Sequence, residues 1–262
     1  MTTSIEDLRK DRPATASDRR TGRRRLVFAA VAVVGLAAAI TGVVALGGLE
    51  SVGVAPPAAS AAEVLHQAAD AARAQPATAP RPDQFVYART QSSDGAVREA
   101  WLSADGTRDG LIVQRGERTP VPGCRDGKQA VVKGTEAIPN AFEPCTPEPA
   151  YRTDLPTDAA GMREFLKQNS TGQIGKDILY YVGETYVSPD SLAALFDVIA
   201  DFPELTVDEH AKDGAGRPGI GVSWTRDGHT VTIVFDSATH AFLGFPDAAV
   251  EHGIADAAGQ QP

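Results

Sequence analysis

The sequence predicts an α+β protein with a single N-terminal transmembrane helix. The helix is followed by an exported domain in which helices pack on a curved, half-barrel-like antiparallel sheet. Three observations carry this reading. An uncharged run of 24 residues, Leu26 to Leu49, lies near the N-terminus. Period-2 stretches punctuated by Asp-Gly pairs occur both before and after a block of helix-period stretches. The resulting order of helix, strands, helices, strands is a segregated one, which means α+β rather than alternating βαβ units.

Charge divides the chain in the same way. Residues 1–25 carry 8 basic and 4 acidic side chains, residues 26–49 carry none, and residues 50–262 carry 17 basic and 30 acidic. The neutral run spans about 36 Å as a helix at 1.5 Å per residue, enough for a bilayer core of about 30 Å. Arg19, Arg20, Arg23, Arg24 and Arg25 precede it, so the N-terminus is expected in the cytoplasm and the rest outside. A cleaved signal peptide with an A-x-A site at Ala59-Ser60-Ala61 is the rival, but its apolar region is about 7–15 residues. The domain plan is therefore a basic tail (1–25), a membrane helix (26–49), a spacer (50–60), an exported α+β domain (61–256) and a polar tail (257–262). The net charge of −13 on residues 50–262 argues against nucleic acid as a partner.

Ser60-Ala61-Ala62-Glu63 forms a capping box and starts a helix over 61–74, with Val64, Leu65, Ala68 and Ala72 on one face. Pro76, Pro80 and Pro82 end it. Strands are expected at 85–91, 97–104 and 108–114, since Asp-Gly between alternating runs favours tight turns. Residues 116–156 hold seven prolines and read as loop, apart from a short strand at 128–133. Thr157 is expected to cap a helix over 158–168. Ile174, Ile178, Leu179 and Val182 mark another, and Ser188-Pro189 starts a third carrying Leu192, Leu195, Phe196 and Ile199. Four strands close the chain at 205–210, 219–226, 229–236 and 240–245. Ile220, Val222 and Trp224 fall on one face, and Val231, Ile233 and Phe235 on another.

Cys124 and Cys145 are the only cysteines. Both lie on the predicted exported side, where disulfides persist, and a bond would close a 22-residue loop worth about 3 kcal/mol. No C-x-x-C or H-x₃-H spacing supports a redox pair or a metal site, and no cofactor is expected. The sequence holds no G-x-S-x-G, S-x-x-K, H-E-x-x-H or phosphate-binding loop. Asp105 to Gly110 starts like an EF-hand loop but has Gly116 where the bidentate Glu belongs. Asn169-Ser170-Thr171 matches a glycosylation acceptor. Phe85, Tyr87, Trp101 and Trp224 fall in predicted strands and are the candidate ligand-binding residues.

Together these pieces resemble a family of single-pass membrane proteins from high-GC Gram-positive bacteria. The resemblance is carried by Arg23-Arg24-Arg25, AASAAEVLHQAADAA (58–72), PDQFVYART (82–90), REAWLSADG (98–106) and Leu155-Pro156-Thr157-Asp158. GRPGIGV (216–222) and HGIADAAGQQP (252–262) complete it. It implies an exported domain but no activity and no catalytic residues. At fold level the order also resembles the half-barrels of periplasmic lipoprotein carriers and of envelope-stress sensors. The function expected is that of a non-enzymatic envelope protein. The bilayer would be its partner through residues 26–49, and an envelope protein or hydrophobic ligand would bind the exported domain. The alternative is a cell-envelope hydrolase working through paired carboxylates.

Overall fold

The structure, a computed structural model, describes residues 60–169, 174–183, 185–226 and 228–262. The expected basic tail, membrane helix and spacer through residue 59 lie outside the described residues, as does part of the glycosylation acceptor. Among the described residues no helix is long and apolar enough to cross a membrane.

The described chain is α+β, built on one large antiparallel sheet. Helix α1 (Ala61–Arg73) leads into strands β1 (Phe85–Ser92), β2 (Val97–Ser103), β3 (Gly110–Gln114) and β4 (Glu117–Val121). A separate hairpin follows, β5 (Lys128–Lys133) and β6 (Glu136–Pro144). Next come β7 (Tyr151–Arg152), α2 (Ala159–Asn169), α3 (Ile174–Gly183), β8 (Tyr186–Val187) and α4 (Pro189–Ala200). The chain ends in β9 (Thr206–Lys212), β10 (Pro218–Arg226), β11 (His229–Phe235), β12 (Phe242–Phe245) and β13 (Ala248–Ala255).

The nine strands of the main sheet run in the order β4-β3-β2-β1-β13-β12-β11-β10-β9. Two meanders, one from each side of the helical block, are thus joined where β1 meets β13. All eight residues of β1 find partners on β13, from Phe85 opposite Ala255 to Ser92 opposite Ala248. The small β7–β8 pair is parallel and stands apart.

The predicted caps form where the sequence places them at two helices. Ser60 Oγ accepts from the Glu63 amide at 3.2 Å, and Ser188 Oγ from the Ser191 amide at 3.1 Å. Each satisfies a donor that the first helical turn cannot. At α2 the cap is Asp158, not Thr157: its carboxylate accepts from the Gly161 amide at 2.9 Å and its carbonyl from Met162. A carboxylate also suits the positive end of the helix dipole better than a hydroxyl does.

One face of the sheet carries the main core. Ile220, Val222 and Trp224 stand directly opposite Phe235, Ile233 and Val231, so the two alternating sets share a single face. Onto it pack Val64, Leu65 and Ala68 of α1 and Leu195, Phe196 and Ile199 of α4, all essentially inaccessible to solvent. Helix α1 lies along α4, and Asp197 of α4 receives both Arg73 and His66 of α1 at the rim.

Five strands escape the sequence reading, among them the two-residue β7 and β8, which are too short to carry a periodicity. β4 and β6 contain Pro120, Pro139 and Pro144, which the loop assignment took as breakers. Both strands lie at edges, where a missing N–H costs no ladder bond. β13 was not anticipated at all: AAVEHGIA has little of the β-branched or aromatic bulk that signals a strand.

The main core predicts a large cost for truncating its centre. Leu65→Ala is expected to lower the unfolding free energy by about 2–5 kcal/mol, read from the shift in a urea denaturation midpoint. An unchanged midpoint would contradict the packing described.

Candidate functional site

Two features stand out, one on a face of strand β2 and one rooted at its end. The first is an aromatic patch on the face opposite the main core. Tyr87 and Trp101 are direct cross-strand partners with ring centroids 5.3 Å apart. Phe85 and Ala255 complete a small buried cluster, and Leu111, Val113 and Ala258 pack against it.

This patch is roofed by residues 257–262. The chain leaves β13 at Asp256, which accepts from Arg81 at 3.0 Å and Gln84 at 2.9 Å. A turn closed by Gln260 N–H to the Ala257 carbonyl then reverses it, with Gly259 at φ +89°. That backbone conformation suits glycine and strains other residues. Trp101 Nε1 donates to the Gln260 carbonyl at 2.5 Å, and Gln261 Nε2 donates to Glu99 at 2.7 Å. Tyr87 Oη donates to the same Glu99 oxygen at 2.7 Å. Pro262 lies over Gly253, where a Cβ would stand 2.5 Å from its Cγ. Burial, and then the bond to Glu99, push the Tyr87 phenol up to about 12. The same bond is the main cause holding the Glu99 carboxyl below its usual range.

The four expected ligand-binding residues therefore divide between the two faces of the sheet. Phe85, Tyr87 and Trp101 meet beneath the 257–262 segment. Trp224 belongs to the main core, edge-on to Phe202 at 5.9 Å, and does not join them. Sequence reasoning identified the aromatic residues but not their roof, because GQQP carries no periodicity. The available signal was the turn chemistry of Ala257-Ala258-Gly259-Gln260.

The second feature is the β5–β6 hairpin. Cys124 and Cys145 are disulfide-bonded across its base, Cα atoms 5.9 Å apart. The base is fastened to the main sheet in several ways. The Cys124 amide donates to the Gly106 carbonyl, and Asp109 accepts from both the Gly123 amide and Arg125. Gly123 lies so close to Thr107 that a Cβ would stand 2.4 Å from its carbonyl. Beyond this base, Phe142 is 65 % exposed and Ile138 40 %, the only large hydrophobic residues so exposed among the described residues. Phe142 also borders an open recess of about 390 Å³, with Arg125, Lys128 and Gln129 around it.

Six carboxylates among the described residues are held below the usual range, and in four of them the main cause is a donor close at hand. Glu99 is held by Tyr87, Asp154 by Arg152, Asp236 by Thr239, and Asp256 by Gln84 and Arg81. A general acid needs a shift in the other direction. Among the described residues no group of three or more His, Cys, Asp or Glu is placed to hold a metal ion.

No family model, curated protein or solved structure matches the chain.

His252 of β13 lies on the core-facing side, opposite Ala88 and edge-on to Tyr186. Its Nε2 is buried without a hydrogen-bond partner. Burial pushes its pKa down to about 4, opposed only by a hydrogen bond to the Gly183 backbone. Unfolded, the imidazole takes its proton near pH 6.5. Between these values the unfolded state binds more protons, so stability is full above pH 6.5 and is lost as pH falls toward 4. The loss is roughly 3 kcal/mol for one such group. Denaturation midpoints measured from pH 7 to 4 are expected to show it, and His252→Gln is expected to flatten that part of the profile. An equal slope in the variant would assign the effect elsewhere.

Proposed function

We propose that this chain is a non-enzymatic envelope protein, tethered by residues 26–49 with its N-terminus in the cytoplasm, whose exported domain binds a partner protein through the β5–β6 hairpin. The observation that carries the reading is the hairpin itself. It combines exposed Phe142 and Ile138 with a disulfide-braced base, a rigid mount for an apolar contact surface. Exposed apolar side chains gathered on one hairpin and flanked by polar ones are a feature of interaction sites. Arg125, Asp126 and Lys128 line the recess and Arg125 is paired with Asp109, so Lys128 is the cation there that suits a carboxylate on a partner.

The disulfide also supports export, since such bonds persist outside the reducing cytoplasm. The half-barrel curvature of the sheet belongs to the same reading. It draws support from the register shifts at Gly219/Gly221 and Val234/Phe235, since bulges bend strands and add twist. Membership of the single-pass family described above is consistent with this arrangement.

The reading is tested by a photo-crosslinking side chain placed at Phe142 of the full chain in its own envelope. A discrete adduct is expected there and none from the exposed position Thr225. Replacing both cysteines with serine is expected to weaken the adduct. Identical patterns at 142 and 225 would sink the proposal.

A further inference from the structure

The roof over the aromatic patch has the features of a bound peptide rather than of a strand continuation. After Asp256 the chain stops pairing with β1, reverses at Gly259 and returns across the face of the sheet. Its contacts there come from three kinds of group. A main-chain carbonyl, that of Gln260, accepts from Trp101. A primary amide, that of Gln261, donates to Glu99. A proline ring, Pro262, fills the place that Gly253 leaves open.

The receiving side is assembled independently of the segment. Trp101 and Glu99 are on β2, Tyr87 is on β1 and Gly253 is on β13. Tyr87 orients Glu99 through its own hydrogen bond. The segment itself is largely exposed, with only Ala258 half-buried among residues 256–262. It therefore contributes few apolar contacts of its own. Carbonyl-to-indole bonding and proline against an aromatic surface are common means of recognising peptides.

We infer that the Tyr87–Glu99–Trp101 surface is a binding site for a turn-forming Gln- and Pro-containing peptide, occupied in cis by residues 257–262. A peptide of the same chemistry from another protein binds there when it displaces the segment. The cis segment competes at an effective concentration of about millimolar, typical of a short linker. This site is separate from the hairpin and does not depend on it.

The test uses the full chain and a variant ending at Asp256, with the peptide Ala-Ala-Gly-Gln-Gln-Pro as probe. The two indole N–H resonances report the result, Trp101 at the site and Trp224 in the core as an internal reference. Removal of residues 257–262 is expected to move the Trp101 resonance and leave Trp224 in place. Added peptide is expected to restore it saturably, with affinity at least about tenfold weaker toward the full chain. Gly253→Ala in the shortened chain is expected to abolish that response.

If the shortened chain fails to fold, the double variant Gln261→Glu, Pro262→Asp provides the same release at full length. It places a carboxylate against Glu99 and removes the ring from Gly253, leaving the receiving residues intact. A Trp101 resonance unmoved by releasing the segment, or a released chain that the peptide does not titrate, would overturn the inference. Crosslinking at Phe142 is unaffected by either outcome, so failure here and failure of the hairpin reading are distinguishable.

Discussion

The pairing of β1 with β13 is the constraint on which the rest of this fold depends. It joins strands from opposite ends of the described chain, with about 150 residues of other structure between them. Because it lies at the centre of nine strands, both faces of β1 must be covered. Val86, Ala88 and Thr90 are buried on one side, Phe85 and Tyr87 on the other. Helices cover the neighbouring strands on the first side. On the second, no helix among the described residues packs over them, and the 257–262 segment takes that role over Tyr87 and Trp101.

This arrangement explains why β13 was the least legible strand in the sequence although it is the most central. Its small residues are required by what crosses it. Gly214 approaches so closely that a Cβ there would stand 2.5 Å from Ala248, and one on Gly244 would stand 2.3 Å from the Ala248 carbonyl. Gly253 leaves room for Pro262. A strand built from valine and isoleucine, the residues that identify strands in a sequence, would exclude these approaches. Strands β10 and β11 meet the side chains of the helices rather than a closely approaching backbone on their core face, and keep the bulk and alternation that make them readable.

The helices show the opposite case. Their caps and apolar faces are local properties, and α1 and α4 fall where Ser60 and Ser188-Pro189 place them. The cysteine pairing was legible from parity and the expected compartment, and β5 from its short alternating run, whereas its partner β6 was hidden by proline. Site residues were legible as types: Phe85, Tyr87, Trp101 and Trp224 are all buried aromatics. Which face each occupies depends on register, and register depends on the unanticipated β13. The division of Trp224 from the other three was therefore beyond reach of any local reading.

Strand β2 links the two surface features while keeping them mechanically separate. Its middle residues, Glu99 and Trp101, face the 257–262 segment. Its end and the following turn hold the root of the insertion: the Ser103 and Ala104 carbonyls accept from Ala150 and Tyr151, and Gly106 accepts from Cys124. The insertion thus enters and leaves within a few residues of one another on the sheet. Its entry and exit are crowded against backbone at Gly106 and Gly123, positions where a side chain has no room. Beyond this root and the disulfide, residues 126–144 touch the main sheet little. Changes in the hairpin face therefore alter what it presents without disturbing register in β2, and so without disturbing the aromatic patch. Attached at one braced root, the hairpin can change its exposed face at low cost to the central pairing.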